Sequence, residues 1–563
     1  MYIAFESSLF RSIVGFISSA MLLTMLHGCE TQIDSPEKAA AEIDDLVNNT
    51  VVPSFRENQV RANIQLTQTN LLSMLPDLDE YPTSLNARDD SRTETVEIFT
   101  SSEKAGIGRD GFYIELAEAF NRQLNTISNG KQAHIVIRKI ASGLGAQFML
   151  ARRYTPDAYS PSNPLWSKLL DANGIRMETI AEVTAPNTAG IIVKKSKKDL
   201  ITTEGKLDIA KLLTSVSDGS FAMGYTNPYQ SSTGLNFLLT VLNSFAEGDE
   251  TQMLSPDVAS AFEAFQAGVP FVAQNTLQMR DAAQGSGVLD ALVMEHQSWV
   301  NVTGMNDYEF IPFGVRHDSP LYATPEADSQ EREVLKLFAK FVESQQSVVA
   351  NFGFGRQLNY KNAYELTDSS IIGQAQKVWK QKKSGGRPIA AVFIADVSGS
   401  MEGMRIKNLK RAMIESSDLI SSTNSIGLVT YSEQVNVDLM IRPFNVQQKA
   451  LFNGAVGRLR TGGKTATNSA VLVAAQQLLE YGKTNPDHKK VIFLLSDGET
   501  NKGVDFAQVE KALEWSGIPI HSIAYELKSD HLKALSGLAE GAYVESSASS
   551  ASYRIGNLLN SEM

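Results

Sequence analysis

The C-terminal third of the chain alternates continuous apolar runs with segments in which apolar residues recur every three or four positions. Residues 388–395 (PIAAVFIA) and 490–496 (KVIFLLS) are almost entirely apolar and predict buried strands. Between them, apolar residues recur near helical spacing at Ile406, Leu409, Met413 and Ile420. Residues 466–481 predict a further helix. This alternation predicts an α/β fold with a doubly wound, mostly parallel sheet.

A second α/β pattern covers residues 94–375, beginning with the short strand 96–100 (VEIFT) and an amphipathic stretch at 113–124. The preceding residues are polar and mostly helix-compatible, and residues 77–92 have the composition of a linker. The expected organisation is a signal peptide at 1–28, a helical spacer and linker at 29–92, and α/β modules at 93–378 and 385–563. The spacer would hold the folded part away from a membrane.

The length of the chain bounds its number of domains, and its net charge argues against one class of function. A chain of 563 residues is expected to form about two to four domains. Its formal charge of −12 and the absence of a Lys/Arg-rich stretch argue against nucleic-acid binding, which relies on a basic face that releases phosphate counterions.

The first thirty residues resemble an export signal. Arg11 is followed by an apolar run at 12–26, which is short for a membrane span and typical of a signal peptide. Residues 26–29 (LHGC) resemble a bacterial lipobox, which implies lipidation of Cys29 and a lipid-anchored protein of the cell envelope, on its periplasmic or cell-surface side. An uncleaved signal anchor is the alternative. Cys29 is the only cysteine, so no internal disulfide can form.

Three short segments of the C-terminal third carry oxygen ligands that suit Mg²⁺. They are residues 396–400 (DVSGS), 462–465 (GGKT) and 496–498 (SDG). Parallel strands present such loops at one edge of a sheet. Asp396 and the serines could alternatively only cap a helix.

The three segments resemble the metal-ion-dependent adhesion site of von Willebrand factor type A domains, and the resemblance covers about residues 385–563. It implies a site for Mg²⁺, or for Mn²⁺ or Ca²⁺, at Asp396, Ser398, Ser400, Thr465 and Asp497. In that family the two aspartates commonly act through water and the hydroxyls bind directly. We expect the carboxylate of a partner protein to complete the metal shell.

Two motifs of the chain also resemble those of enzymes. Phosphatases with an Asp-x-Asp-x-Thr motif also place an Asp beside Mg²⁺ at the end of a strand, but Ser398 stands where their second Asp acts as acid and base. Gly106, Gly108 and Gly111 fit a dinucleotide fingerprint, yet the next strand ends without an acid for a ribose. We therefore expect a binding protein and not an enzyme.

Residues 156–166 (PDAYSPSNPLW) and 226–235 (TNPYQSSTGL) resemble stretches of periplasmic solute-binding proteins of the two-lobed, hinge-bending type. The resemblance implies a cleft in which hydroxyls and helix N-terminal amides hold a small polar or anionic solute. The candidate residues are Ser101, Ser102, Ser142, Ser160, Thr226, Ser231 and Ser232. Turn or N-cap roles are the alternative for each of them.

These patterns lead to one main hypothesis and two alternatives. The main hypothesis is a membrane-anchored, exported binding protein that captures a partner protein through its metal site and carries a solute-binding-like module. The first alternative is a solute receptor of an ABC-type importer, with the type A domain as a docking module. A Mg²⁺-dependent hydrolase is the least favoured.

Overall fold

The structure is a computed structural model. It describes residues 33–562, apart from residues 65–70, 89, 270, 274, 275, 277, 281–288, 356–358, 499, 540, 548 and 549. The expected signal peptide and the expected lipidation site Cys29 lie outside the described residues. Within the described part of the chain, no helix is both long and apolar enough to cross a membrane.

The N-terminal segment folds onto the end of the chain. It consists of helix α1 (Pro36–Asp45), a π-helical extension (Leu46–Val51) and the short strand β1 (Ser54–Phe55). Ser35 caps α1 by accepting a hydrogen bond from the Lys38 amide. Ala39, Ile43 and Val47 are spaced four residues apart and are fully buried, so they form the apolar stripe of this segment.

The first lobe of the module at residues 93–382 is built on a five-stranded sheet in the order β3-β2-β4-β13-β5. Strands β3 and β4 run parallel to β2, whereas β13 is antiparallel to both β4 and β5. The strands of this lobe are β2 (Thr93–Thr100), β3 (Gln132–Lys139), β4 (Ala158–Ser160), β5 (Glu178–Ala181) and β13 (Leu321–Ala323). Its helices are α2 (Ser102–Ala105), α3 (Phe112–Arg122), α4 (Ser142–Leu150) and α5 (Leu165–Ala172).

The second lobe is built on another five-stranded sheet, in the order β10-β9-β11-β6-β12. Its strands are β6 (Thr188–Lys194), β9 (Met223–Thr226), β10 (Phe271–Ala273), β11 (Ala291–Glu295) and β12 (Tyr308–Arg316), and β7 (Thr202–Thr203) and β8 (Lys206–Leu207) form a small hairpin. Its helices are α6 (Ile209–Ser217), α7 (Ser232–Phe245), α8 (Pro256–Ala267) and α9 (His296–Val300). The chain enters this lobe after β5 and returns through β13, so the expected two-lobed module is confirmed.

Three helices follow the last strand of the two lobes and lead to the end of the module: α10 (Ser329–Ser344), α11 (Gln346–Asn351) and α12 (Ser370–Lys382). Helix α10 begins with a capping box between Asp328 and Glu331 and packs on the first lobe. Helix α12 packs against α5 and α7, and therefore touches both lobes.

The C-terminal module, residues 388–562, contains a seven-stranded sheet in the order β1-β16-β15-β14-β17-β18-β19. Its own strands are β14 (Ile389–Asp396), β15 (Ser425–Tyr431), β16 (Val435–Pro443), β17 (Lys489–Ser496), β18 (Ile520–Tyr525) and β19 (Tyr543–Ser546). Only β16 is antiparallel to its neighbour β15. Every residue of β14 is buried because helices cover both faces of the sheet.

The helices of this module are α13 (Met404–Ser416), α14 (Val446–Gly457), α15 (Thr467–Thr484), α16 (Phe506–Ser516), α17 (Asp530–Gly537) and α18 (Ala551–Glu562). The expected doubly wound, mostly parallel sheet is therefore confirmed. The N-terminal segment differs from the expected spacer in one respect: α1 packs against α15 and α16, and β1 pairs with β16. The buried stripe of α1 explains this, because a free spacer would leave it in water.

The two modules are in direct contact through α18. The Tyr553 hydroxyl donates to Gln147 Oε1 (2.8 Å) and accepts from Gln230 Nε2 (2.9 Å). Gln147 lies on α4 in the first lobe, and Gln230 lies between β9 and α7 in the second. One tyrosine of the C-terminal module thus contacts both lobes.

Candidate metal centre

The three oxygen-rich segments meet at the carboxyl edge of the C-terminal sheet. Asp396 ends β14 and Ser496 ends the neighbouring parallel strand β17. The Gly399 amide donates to the Gly463 carbonyl (3.0 Å), and the Gly462 amide donates to the Val397 carbonyl (2.9 Å). These two bonds join the first segment to the second, which leads into α15. The fold therefore brings together the five residues predicted as the metal site.

Asp396 is fully buried and firmly held. Its Oδ1 accepts from the Ser398 amide (2.8 Å), while its Oδ2 accepts from the Ser496 hydroxyl (2.7 Å) and the Tyr431 hydroxyl (3.1 Å). Burial raises the pKa of Asp396, the hydrogen bonds from Ser496 and Ser398 oppose that shift, and the charge of Asp497 adds to it. The two carboxylates are thus near enough to repel each other.

The hydroxyl groups of the site form a small cluster beside these carboxylates. The Ser398 and Ser400 hydroxyl oxygens lie 3.0 Å apart. Thr465 is buried, and Asn501 holds its backbone through two hydrogen bonds. Asn501 Oδ1 accepts from the Thr465 amide (2.9 Å), and the Asn501 amide donates to the Thr465 carbonyl (3.0 Å). The side-chain hydroxyls of Ser398, Ser400 and Thr465 could therefore supply neutral oxygen ligands, and hydrogen bonds already hold the backbone of Thr465 in place.

Asp497 provides the strongest indication of a bound cation. The residue is 1% exposed, and both of its carboxylate oxygens are buried without a hydrogen-bond partner among the residues that the structure describes. Its Oδ2 lies 3.5 Å from Arg405 Nη1, which is an ion-pair contact without hydrogen-bond geometry. A buried carboxylate in this state is costly, and a cation with its waters would supply the missing partners. The residues present therefore fit Mg²⁺.

The donor set also limits which metals the centre suits. Within the described ranges there is no group of three or more His, Cys, Asp or Glu side chains that could hold a metal ion. Two carboxylates accompanied by hydroxyls are hard oxygen donors, which favour Mg²⁺ or Ca²⁺ over Zn²⁺.

Sequence reasoning missed three residues that shape the centre. Tyr431 ends β15 and donates to Asp396. Its position at the end of a buried strand could have predicted that it lies at the same edge of the sheet as Asp396. Asn501 follows the third segment closely. Arg405 lies near the start of α13, where Nη1 donates to the Ser400 carbonyl (3.0 Å) and Nε donates to Glu526 Oε2 (2.8 Å). No sequence motif identified Arg405.

The hydroxyls predicted for a solute fall into two groups. Around the ends of β2 and β4, the Ser101 hydroxyl lies 3.5 Å from that of Ser162, and Ser160 contacts the Tyr113 hydroxyl (3.0 Å). Ser102 begins α2. Lys104, which the sequence analysis missed, is fully buried and donates to the Ser160 carbonyl (2.5 Å). Burial lowers the pKa of Lys104 to about 8.

The second group lies between α4 and α7. The Thr226 hydroxyl donates to the Ser231 hydroxyl (2.9 Å), and Ser231 caps α7 by accepting from the Gly234 amide (3.5 Å). Ser232 accepts from the Trp166 indole (2.9 Å), and the Ser142 carbonyl accepts from the Tyr159 hydroxyl (2.7 Å). The structure thus gives most of these residues partners within the protein.

Comparison with known proteins identifies part of the chain. The family model of the von Willebrand factor type A domain matches residues 391–556. An uncharacterized protein of Synechocystis sp., sll0103, is 24% identical over 164 residues, which is 28% of this chain and 38% of that protein. The chain thus spans well under two thirds of this relative.

Two solved structures are similar to parts of this chain. A von Willebrand factor type A protein from Catenulispora acidiphila aligns at 19% identity with a TM-score of 0.29, covering 31% of this chain and 42% of that one. A periplasmic thiamin binding protein aligns at 12% identity with a TM-score of 0.39, and the alignment covers 54% of this chain and 100% of the thiamin binding protein. Together, the family match and the strand order identify residues 391–556 as a von Willebrand factor type A domain.

Proposed function

We propose that this chain is a membrane-anchored, exported binding protein whose type A domain captures a partner protein through a divalent-metal site. The observation that carries the proposal is the buried carboxylate of Asp497, which has no hydrogen-bond partner and lies near Asp396. A bound cation would reduce the repulsion between the two carboxylates and supply the partners that Asp497 lacks.

The residues that would hold Mg²⁺, or Mn²⁺ or Ca²⁺, are Asp396, Ser398, Ser400, Thr465 and Asp497. When bound, the metal supplies a coordination position for an acidic side chain of the partner. The chain itself contributes a preformed rim: Tyr431 and Ser496 orient Asp396, and Asn501 fixes the loop of Thr465. This preorganisation lowers the cost of ordering the loops on binding.

The same geometry argues for binding without catalysis. Ser398 occupies the position at which a carboxylate would be needed as general acid and base. Both oxygens of Asp396 already accept hydrogen bonds, so this side chain is poorly placed to attack a substrate. Metal-dependent turnover of a generic phosphoester that is lost in Asp396→Ala would contradict this part of the proposal.

Affinity capture from the native cell envelope tests the proposal. The full chain is used as bait with Mg²⁺ present, and bound proteins are then released with EDTA. We expect Asp396→Ala to lose the EDTA-released proteins, whereas Asp487→Ala, which removes an exposed carboxylate of the same domain, should retain them. Equal capture with and without EDTA would rule out a metal-dependent partner.

A solute receptor of an ABC-type importer is the second candidate. The two-lobed module favours it, because buried polar side chains such as Lys104 and Ser160 lie at the carboxyl ends of its strands. A saturable rise in the unfolding temperature of the full chain with a transported solute would support this function. The absence of any shift across a broad panel of solutes would favour the adhesion function.

A further inference from the structure

A cavity of about 360 Å³ lies between the two modules. The two-lobed module contributes Ala141, Leu144 and Gln230 to its lining, and the C-terminal module contributes Tyr543, Arg554 and Asn557. This volume is within the range of cavities that hold small organic ligands. The metal centre contributes none of its residues to this lining.

The cavity lies where the two lobes approach each other. Ala141 follows β3 in the first lobe, and Gln230 follows β9 in the second, so both lie beyond the carboxyl ends of parallel strands. The Gly143 amide donates to the Gln230 carbonyl (3.1 Å), which joins the two loops. Ligands of open α/β sheets bind beyond such strand ends. Here β19 and α18 of the C-terminal module cover the position.

Arg554 brings to the cavity a positive charge that has no ion-pair partner among the described residues. Within the described part of the chain its Nε is buried without a hydrogen-bond partner, and its Nη2 donates to the Tyr81 hydroxyl (3.2 Å). Its guanidinium carbon lies 6.0 Å from the Tyr81 ring centroid. Among the residues that the structure describes, Arg554 forms no ion pair, unlike Arg405, Arg138 and Arg316. A half-buried guanidinium of this kind matches a carboxylate, which can accept two parallel hydrogen bonds from it.

The remaining lining limits the kind of anion. Leu144 and Val544 offer apolar surface for a hydrocarbon group. Glu545 also borders the cavity, but it is exposed and lies 3.7 Å from Lys528 Nζ, so its charge is partly balanced outside. The lining thus combines one cation, the polar side chains of Gln230 and Asn557 and a small apolar surface, with a carboxylate at the rim, which favours a small anion with a single charged group over a polyanion.

We propose that this cavity binds a small organic carboxylate that pairs with Arg554 and places its hydrocarbon part against Leu144 and Val544. The bound molecule contacts both modules at once, so it links the solute-binding-like module to the type A domain. The site is independent of the proposed metal centre, because no residue of that centre lines it.

Calorimetric titration of the full chain with acetate, succinate, benzoate and inorganic phosphate tests the proposal. Bound metal is first removed with EDTA and the chelator is then dialysed away, so that no carboxylate can bind at a metal and EDTA does not compete for the cavity. We expect saturable binding of at least one carboxylate and a matching rise in the unfolding temperature. Arg554→Gln should weaken binding about tenfold or more, because a charged hydrogen-bond donor is lost, and Arg554→Lys should weaken it less. Arg122→Gln, which alters an exposed arginine, should leave it unchanged.

A second variant tests the position of the ligand without altering Arg554. Ala141→Phe fills the cavity from the opposite module and should abolish carboxylate binding, even if Arg554→Gln fails to fold. The proposal is overturned if no carboxylate binds, or if binding survives both Ala141→Phe and Arg554→Gln. Binding of phosphate without any carboxylate would also overturn it.

Discussion

Replacement of Asp497 by Asn should have opposite effects on stability with and without a metal. The substitution keeps the size and shape of the side chain and removes its charge. Without metal, Asp497 is a buried carboxylate with no hydrogen-bond partner, and Asp396 repels it. The wild-type domain should therefore be strained without metal, and Asp497→Asn should relieve that strain.

The expected gain without metal can be estimated from these contacts. Asn is still a buried polar side chain without partners, so the substitution removes only the additional cost of the buried charge and its repulsion by Asp396, about 2–3 kcal/mol. The contact with Arg405, whose side chain is 30% exposed, returns less than about 1 kcal/mol. Asp497→Asn should thus stabilise the metal-free domain by about 1–2 kcal/mol. For a domain of this size, each kcal/mol raises the unfolding temperature by about 2–4 °C.

The sign should reverse when Mg²⁺ is added. A metal present at about 100 times its dissociation constant stabilises the wild-type domain by about 2.7 kcal/mol, and the variant should lose most of that gain. Differential scanning calorimetry of the full chain in EDTA and in Mg²⁺ measures both effects, with the exposed Asp487→Asn as the control. A variant that is less stable than wild type in EDTA, or that keeps the full Mg²⁺ shift, would refute this account of the site.

Three further predictions concern other parts of the chain. Arg405→Gln should tighten Mg²⁺ binding about tenfold in calorimetric titration, because a cation 3.5 Å from Asp497 competes with the metal, and unchanged or weaker binding would contradict this. Burial raises the pKa of Asp157 from 3.8 to about 6, so the folded state binds more protons and loses stability as pH rises from about 4 to above 6. Asp157→Asn should remove about 2 kcal/mol of that loss in denaturant titrations at pH 4 and pH 7. Ile43→Ala should destabilise the type A domain by about 2–4 kcal/mol, with the exposed Thr50→Ala as the control; no loss would mean that α1 is only a spacer.

The convergence of the three oxygen-rich segments could be predicted from the sequence because its signals are local. Continuous apolar runs predicted β14 and β17, since a parallel sheet covered on both faces removes the alternation of ordinary strands. Residues directly after such strands must meet at one edge, which is why Asp396 and Asp497 were predicted to converge. The type A family match covers the same residues.

Other features were not predictable because they depend on distant partners. The stripe of Ala39, Ile43 and Val47 is too short to show whether it packs on another part of the chain. Arg405 and Arg554 have no motif, and their importance comes from what surrounds them: a buried carboxylate in one case and a cavity between modules in the other. Pattern and spacing do not reveal the electrostatic environment of a side chain.

The pairing of β1 with β16 has a consequence for how the protein is made. The two strands lie on either side of the whole two-lobed module in sequence, so the ribosome produces the first long before the second. At about 5–20 residues per second, roughly 380 intervening residues take about 20–80 s to translate. During that time the helices α15 and α16, which cover the apolar stripe of α1 in the folded protein, have not yet been made. The N-terminal segment can therefore reach its final position only after the last third of the chain has emerged.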